Sequence, residues 1–315
     1  MKRTLLMTLF FGLAGGAFFL TGQPDTVKQI ADGVWFREGD IKGQGHCNNI
    51  VVEMKDYLVV IDANFPSGAK RLIEDIKKLS KKPVKYVFDT HHHGDHAYGN
   101  PVWTKMGATT LAHAGVAREM RDREPQRWKE ANRPDVAELN LPTAEPPKET
   151  FTKSPHVITD GNRRIEFHHF GWAHTKGDGF AFLPAEKIMC TGDAVVNGPY
   201  NYTADGHVGN WPKVVDGAMK LGATTVLPAH GPHGGVEILR GEKAFMEELM
   251  KAVKAARKSG KKLDQVVTTV DGKRTKANVT LPDSVKNWVG DFFPDQVYDT
   301  WMELEKKTPR GDLKL

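Results

Sequence analysis

Beyond the first 22 residues the chain alternates short apolar runs with Gly and Asn: Val34-Trp35-Phe36, Ile50-Val51-Val52 and Tyr57-Leu58-Val59-Val60-Ile61-Asp62. Runs of this length between turn residues predict successive strands of an antiparallel sheet over residues 27–62. Across residues 68–79 the apolar positions Leu72, Ile73, Ile76 and Leu79 fall at helical spacing, and Pro83 stops the helix. A strand over residues 84–89 follows. Strand, helix, strand puts the end of the second strand where open α/β sheets carry their sites. Residues 96–106 predict another helix and residues 109–111 another strand.

Residues 117–153 break this rhythm. They are polar, contain several prolines and include the charged run 118–130. That composition suits either a solvated helix with a loop or a lid over a site. The second half then repeats the grammar of the first, with strands expected at 164–167, 178–183 and 187–190, a helix over 211–221 and a strand at 225–227. The periodicity supports an α/β class. After residue 236 it turns helical, over 236–259 and 284–307, so residues 236–315 read as a helical C-terminal extension that packs on the domain or builds a dimer. Trp288, Phe292, Phe293 and Trp301 sit there at near-helical spacings, as core residues do.

With 315 residues the chain can bury a sizeable core, and 39% hydrophobic and 26% charged residues are ordinary for a globular protein. The N-terminus differs. Lys2 and Arg3 precede an apolar run over residues 5–20, which reads as a secretory signal over residues 1–22 and a periplasmic or secreted protein, with an uncleaved anchor as the rival. Losing Lys2 and Arg3 lowers the formal net charge from +5 to +3, and no dense Lys/Arg stripe interleaved with aromatics appears. Nucleic acid is therefore not an expected partner. No stable membrane span is expected once the signal is gone. Two cysteines, Cys47 and Cys190, exclude a disulfide scaffold; they are either a pair or two buried small hydrophobes.

The chemistry is concentrated in Thr90-His91-His92-His93-Gly94-Asp95-His96, which follows the apolar run Tyr86-Val87-Phe88. His-x-His-x-Asp-His on a tight loop after a strand can turn His91 and His93 to one point and Asp95 and His96 to a neighbouring one. Imidazole nitrogens and carboxylate oxygens suit Zn²⁺, which takes them at roughly 2.0–2.2 Å. Further candidates stand at strand ends among small residues: His174 in Trp172-Ala173-His174-Thr175, Asp193 in Thr191-Gly192-Asp193, and His230 in Pro228-Ala229-His230-Gly231.

Asp62, the His91/His93/Asp95/His96 cluster, His174, Asp193 and His230, in this order over residues 34–235, resemble the metallo-β-lactamase superfamily. The resemblance implies a four-layer αββα sandwich forming a catalytic domain over residues 23–235. It also implies two Zn²⁺, with His91, His93 and His174 on one ion, Asp95, His96 and His230 on the other, and Asp193 bridging both. Asp62 would support these ligands by hydrogen bonding, and Asp95 would be catalytic. The remaining histidines have no place in the pattern, although His233 lies near enough in sequence to be a supporting residue. Two ions of this kind lower the pKa of a water to around 7 and polarise the bond it attacks. The implied function is an exported dizinc hydrolase, acting on a small molecule with a cyclic amide or ester. The alternatives are a thioesterase of the hydroxyacylglutathione hydrolase type and, in another class, a di-iron oxidoreductase. Two departures bear on the substrate. Many β-lactamases of this family have Cys where Asp193 stands, and often, three residues later, a Lys that grips the lactam carboxylate; here Val196 occupies that place.

Overall fold

The central strands of the first half bury both faces, which fixes their place between two layers. In the computed structural model, which describes residues 23–314, these strands are β1 (Val27–Ala31), β2 (Val34–Arg37), β3 (Asn49–Glu53) and β4 (Leu58–Ile61). Helix α1 (Pro66–Leu79) leads to β5 (Val84–Asp89), two short helices α2 (Gly94–Ala97) and α3 (Asn100–Lys105), and β6 (Thr109–His113). Helices α4 (Ala114–Glu130) and α5 (Pro134–Ala137) precede β7 (Glu149–Phe151). The seven strands form one sheet in chain order, antiparallel from β1 to β4 and parallel from β4 to β7.

Successive side chains on a strand point to opposite faces. Val51, Leu58, Val60 and Val87 therefore pack outward on Leu72, Ile73 and Ile76 of α1 and on Trp103 of α3. Ile50, Val52, Val59, Ile61 and Phe88 pack inward on the second sheet.

That sheet holds β8 (His156–Thr159), β9 (Arg164–His168), β10 (Phe180–Leu183), β11 (Ile188–Cys190) and, after α6 (Trp211–Met219), β12 (Thr225–Leu227), in the order β12-β11-β10-β9-β8. Ala181, Leu183, Ile188 and Cys190 face the first sheet, while Phe180, Phe182 and Met189 face helices. The four layers are thus helices, sheet, sheet, helices. The expected α/β sandwich is the observed fold.

Helix α7 (Glu237–Lys258) belongs to the outermost layer: Leu239, Phe245, Met246, Leu249 and Val253 share one core with Trp211, Val214 and Val215 of α6. The tail is less uniformly helical than the periodicity suggests. After the short α8 (Leu263–Val266) it forms a hairpin, β13 (Val267–Val270) and β14 (Lys273–Ala277), before α9 (Phe293–Leu304). Asp271-Gly272, with φ of 49° and 75°, makes the turn, a residue pair that strongly signals a hairpin. The signal expected over residues 1–22 lies outside the described residues. Among those described, no helix is long and apolar enough to cross a membrane. Cys47 and Cys190 are both buried and unpaired.

Candidate metal centre

The loop after β5 sends its four candidate ligands two ways because its backbone changes character partway. His93 is extended (φ −63°, ψ 154°) and caps α2, so His91 and His93 lie before the helix while Asp95 and His96 lie in its only turn. Asp62, just past β4 in the left-handed region at φ 65°, ties the loop down. Its Oδ1 accepts from the backbone N–H of Thr90 at 2.8 Å, and its Oδ2 lies 3.0 Å from His96 Nδ1. His174 comes from the loop between β9 and β10. The buried Asp178 carboxylate accepts from the backbone N–H groups of Ala173, His174 and Thr175 there, and burial pushes its pKa up to about 7. Asp193 sits in a single 3₁₀ turn after β11, and His230 follows β12.

These residues converge as two groups. His93 Nδ1 lies 3.1 Å from His91 Nε2 and 2.9 Å from His174 Nε2. Asp205 Oδ2 is 2.7 Å from His93 Nε2 and accepts its proton, which leaves Nδ1 as a lone pair. One lone pair cannot satisfy two neighbouring nitrogens, whereas a cation between all three would. In the second group His230 Nε2 stands 3.1 Å and His96 Nε2 3.3 Å from Asp95 Oδ2. Asp193 belongs to both. Its Oδ2 is 3.6 Å from His174 Nε2 and 3.9 Å from His91 Nε2, and its Oδ1 is 3.3 Å from His230 Nε2 and 3.5 Å from His96 Nε2. His96 Nε2 and Asp193 Oδ1 are buried without a hydrogen-bond partner. Such orphans are costly in a protein interior, and the donor set fits two metal ions.

The groups differ in charge. Burial, then the neighbouring histidines, hold His91 well below the ordinary histidine pKa and His174 down to about 3. Burial opposes charge on His96 and His230 as well, but Asp95 and Asp193 outweigh it. They hold His96 well above the ordinary value and raise His230 to about 9.

The centre lies under an open cavity of about 400 Å³ whose rim carries Ile41, Tyr98, Tyr200, Tyr202 and Phe292. Helix α4 forms one wall. Its outer face, with Arg118, Arg121, Asp122 and Gln126, is exposed, while Glu119, Arg123 and Glu124 are buried on its inner face. Glu124 accepts from the Tyr98 hydroxyl, and Arg127 NH2 donates to both oxygens of Asp205 at 2.9 Å.

Asp205, Arg123 and Arg127 were not among the expected site residues. Glu119, Arg123 and Arg127 recur every four residues, one stripe of a helix, and that spacing is the signal in the sequence. His92 is fully buried, 3.2 Å from Arg127 NH1 and 4.0 Å from Asp205 Oδ2, so it stands behind His93 beside Asp205. His233 packs on Phe36 and supports none of the ligands. Val196 is fully buried, and its carbonyl accepts from Trp288 Nε1 at 3.1 Å, so that position does not face the cavity.

The family description "Metallo-beta-lactamase superfamily" matches residues 43–230. The chain is 24% identical over 221 residues to a metallo-beta-lactamase type 2 from Bacillus cereus, covering 66% of this chain and 77% of that protein. Among solved structures it resembles a metallo-beta-lactamase from Pontibacter korlensis, with TM-score 0.58 and 23% identity over 70% of this chain and 98% of that one. It also resembles a metallo-beta-lactamase from Pseudomonas aeruginosa in a mono-zinc form, with TM-score 0.57 and 23% identity over 72% and 96%.

Proposed function

The chain belongs to the metallo-β-lactamase superfamily, whose members are hydrolases with metal sites, and on that premise we propose that it is an exported dizinc hydrolase opening a cyclic amide or ester of the β-lactam or lactone type. The Asp193 carboxylate carries this reading, because its two oxygens face two separate groups of buried donors. His91, His93 and His174 would hold one ion, Asp95, His96 and His230 the second, and Asp193 both. Bound there, zinc supplies a water ionised near neutral pH and an electrophile for the carbonyl.

The chain's own groups do the rest. Asp95 is the more exposed of the two carboxylates, at 21% against 8% for Asp193. It borders the cavity, where it would orient the attacking water. Asp62 holds His96 in place, and Asp205 holds His93. The aromatic rim takes the apolar part of the substrate and keeps bulk water from the reacting bond. Export is supported by Lys2, Arg3 and the apolar run behind them. Intact-mass measurement should find residues 1–22 absent from the active cellular protein.

The deciding experiment is metal analysis joined to a substrate panel of lactams, lactones, thioesters and phosphoesters. Zinc with lactam or lactone turnover supports the reading. Turnover of thioesters alone gives the function to the hydroxyacylglutathione hydrolase type, and fully active protein with iron alone gives it to an oxidoreductase.

A further inference from the structure

The side of His93 away from the metal groups leads to the end of the chain. Asp205, which accepts from His93 Nε2–H, is fully buried and also accepts from Arg123 NH1 and Arg127 NH2. Arg123 is 2% exposed and has two further partners: its Nε lies 3.0 Å from Glu119, and its NH2 pairs with Asp312. The backbone of this last turn presses on the same carboxylate. Gly311 N–H donates to Ala204 O at 2.9 Å, and a Cβ at Gly311 would overlap Asp205 Oδ1.

The rest of the tail holds the loop that carries Asp205. Gln296 donates to Asn201 O at 2.7 Å, Thr203 donates to Asp299 at 2.6 Å, and Glu303 accepts from the backbone N–H of Val208 at 2.7 Å and of Gly209 at 2.9 Å. All these tail residues lie beyond residue 230, where the family match ends.

We propose that the turn carrying Gly311 and Asp312 is a clamp on the three-histidine group, in which Asp312 holds Arg123, Arg123 holds Asp205, and Asp205 fixes the ring and tautomer of His93. This rests on the reading of His93 as a metal ligand. Arg123 and Asp312 are positioning residues, since neither reaches the cavity centre. The physical reason is competition for one carboxylate. Asp205 has room for His93 because the donors of Arg123 are shared among Asp205, Glu119 and Asp312. Without Asp312, the buried guanidinium loses one of the three carboxylates it pairs with. Asp205 is the nearest carboxylate to which it can turn, and His93 then loses part of its anchor. Outer partners of metal-bound histidines contribute about 10–100-fold in metal affinity, and a partner one step removed belongs at or below the lower end of that range.

The test measures zinc affinity by competition with a chromophoric chelator in two full-length backgrounds. His230→Ala leaves the three-histidine group intact, and His174→Ala leaves the Asp95/His96/His230 group. Asp312→Asn and Gly311→Ala are added to each. Both should weaken zinc binding in the first background by up to about tenfold and leave it unchanged in the second, with the Tm of the metal-free protein lowered alike in the two backgrounds. Equal affinities with and without the added change in the first background would overturn the clamp. Equal weakening in both backgrounds would also overturn it, by showing a general loosening. Failure of the underlying reading is distinguishable, because the His230→Ala protein itself would then bind no zinc.

Discussion

The two groups of donors share Asp193 and one cavity, yet the protein prepares them in opposite ways. His91, His93 and His174 meet as nitrogens, and burial keeps His91 and His174 uncharged. Asp95, His96 and His230 meet as opposite charges, with carboxylates holding protons on the two histidines. In the first group His91 and His174 offer lone pairs. In the second, protons stand where a cation belongs. The supports differ as well. His96 leans on Asp62, which is itself anchored by the backbone of Thr90, whereas His93 leans on Asp205, which is anchored by two arginines of α4 and, through one of them, by the chain's last turn. His96 is thus supported from the ends of β4 and β5, and His93 from α4 and, through it, from a tail that the family match does not reach.

The largest effect should come from removing what the two groups share. Asp193→Ala should cost both ions and lower hydrolysis by about a thousandfold or more, comparable with losing the main electrostatic element of an active site. His174→Ala and His230→Ala should each cost one ion. Zinc content of the three purified variants reads this directly, and full zinc content in Asp193→Ala would break the comparison at its centre.

Acidity should separate the groups next. Zinc entering the second group must displace protons from His96 and His230, so its affinity rises with pH below about 9, where His230 still holds its proton. With two protons released, the rise approaches about a hundredfold per pH unit. His174 loses its proton at about 3, and His91 also titrates well below the ordinary value, so neither gives the first group a pH dependence between about 6 and 9. Calorimetry in buffers of different ionisation enthalpy should detect protons released on filling one group and far fewer on filling the other.

The supports should then show a crossed pattern. Asp62→Asn should weaken zinc binding at the second group and Asp205→Asn at the first, each by about 10–100-fold. Either substitution weakening both groups equally would mean that the supports are not separate.

Legibility in the sequence followed the same division. The apolar runs Ile50-Val51-Val52 and Leu58-Val59-Val60-Ile61 announced strands, and the seven candidate ligands all arrived at one place because each follows a strand or heads a turn. Asp62 was visible for the same reason. Asp205 was not, because it lies in a loop with no period and is recruited by Arg123 and Arg127 across 82 and 78 residues. The charged run holding those arginines resembled a solvated face, since sequence alone does not show that its acids and bases pair internally. The hairpin over residues 267–277 was marked by Asp271-Gly272 but hidden inside a stretch whose neighbours are helical. Val196 illustrates the opposite error. Counting three residues on from Asp193 put it in the cavity, but the chain turns after the 3₁₀ segment and buries it under Trp288. A lysine there would cost stability, by more than about 3 kcal/mol, and would not reach a substrate.

The most direct test of the account is a zinc titration of the metal-free, full-length protein, followed calorimetrically near neutral pH. Two differently prepared groups take up two ions per chain in two steps, with proton release concentrated in one of them. A single step, one ion at saturation in fully active protein, or equal proton release in both steps would contradict a centre built from two differently prepared groups around Asp193.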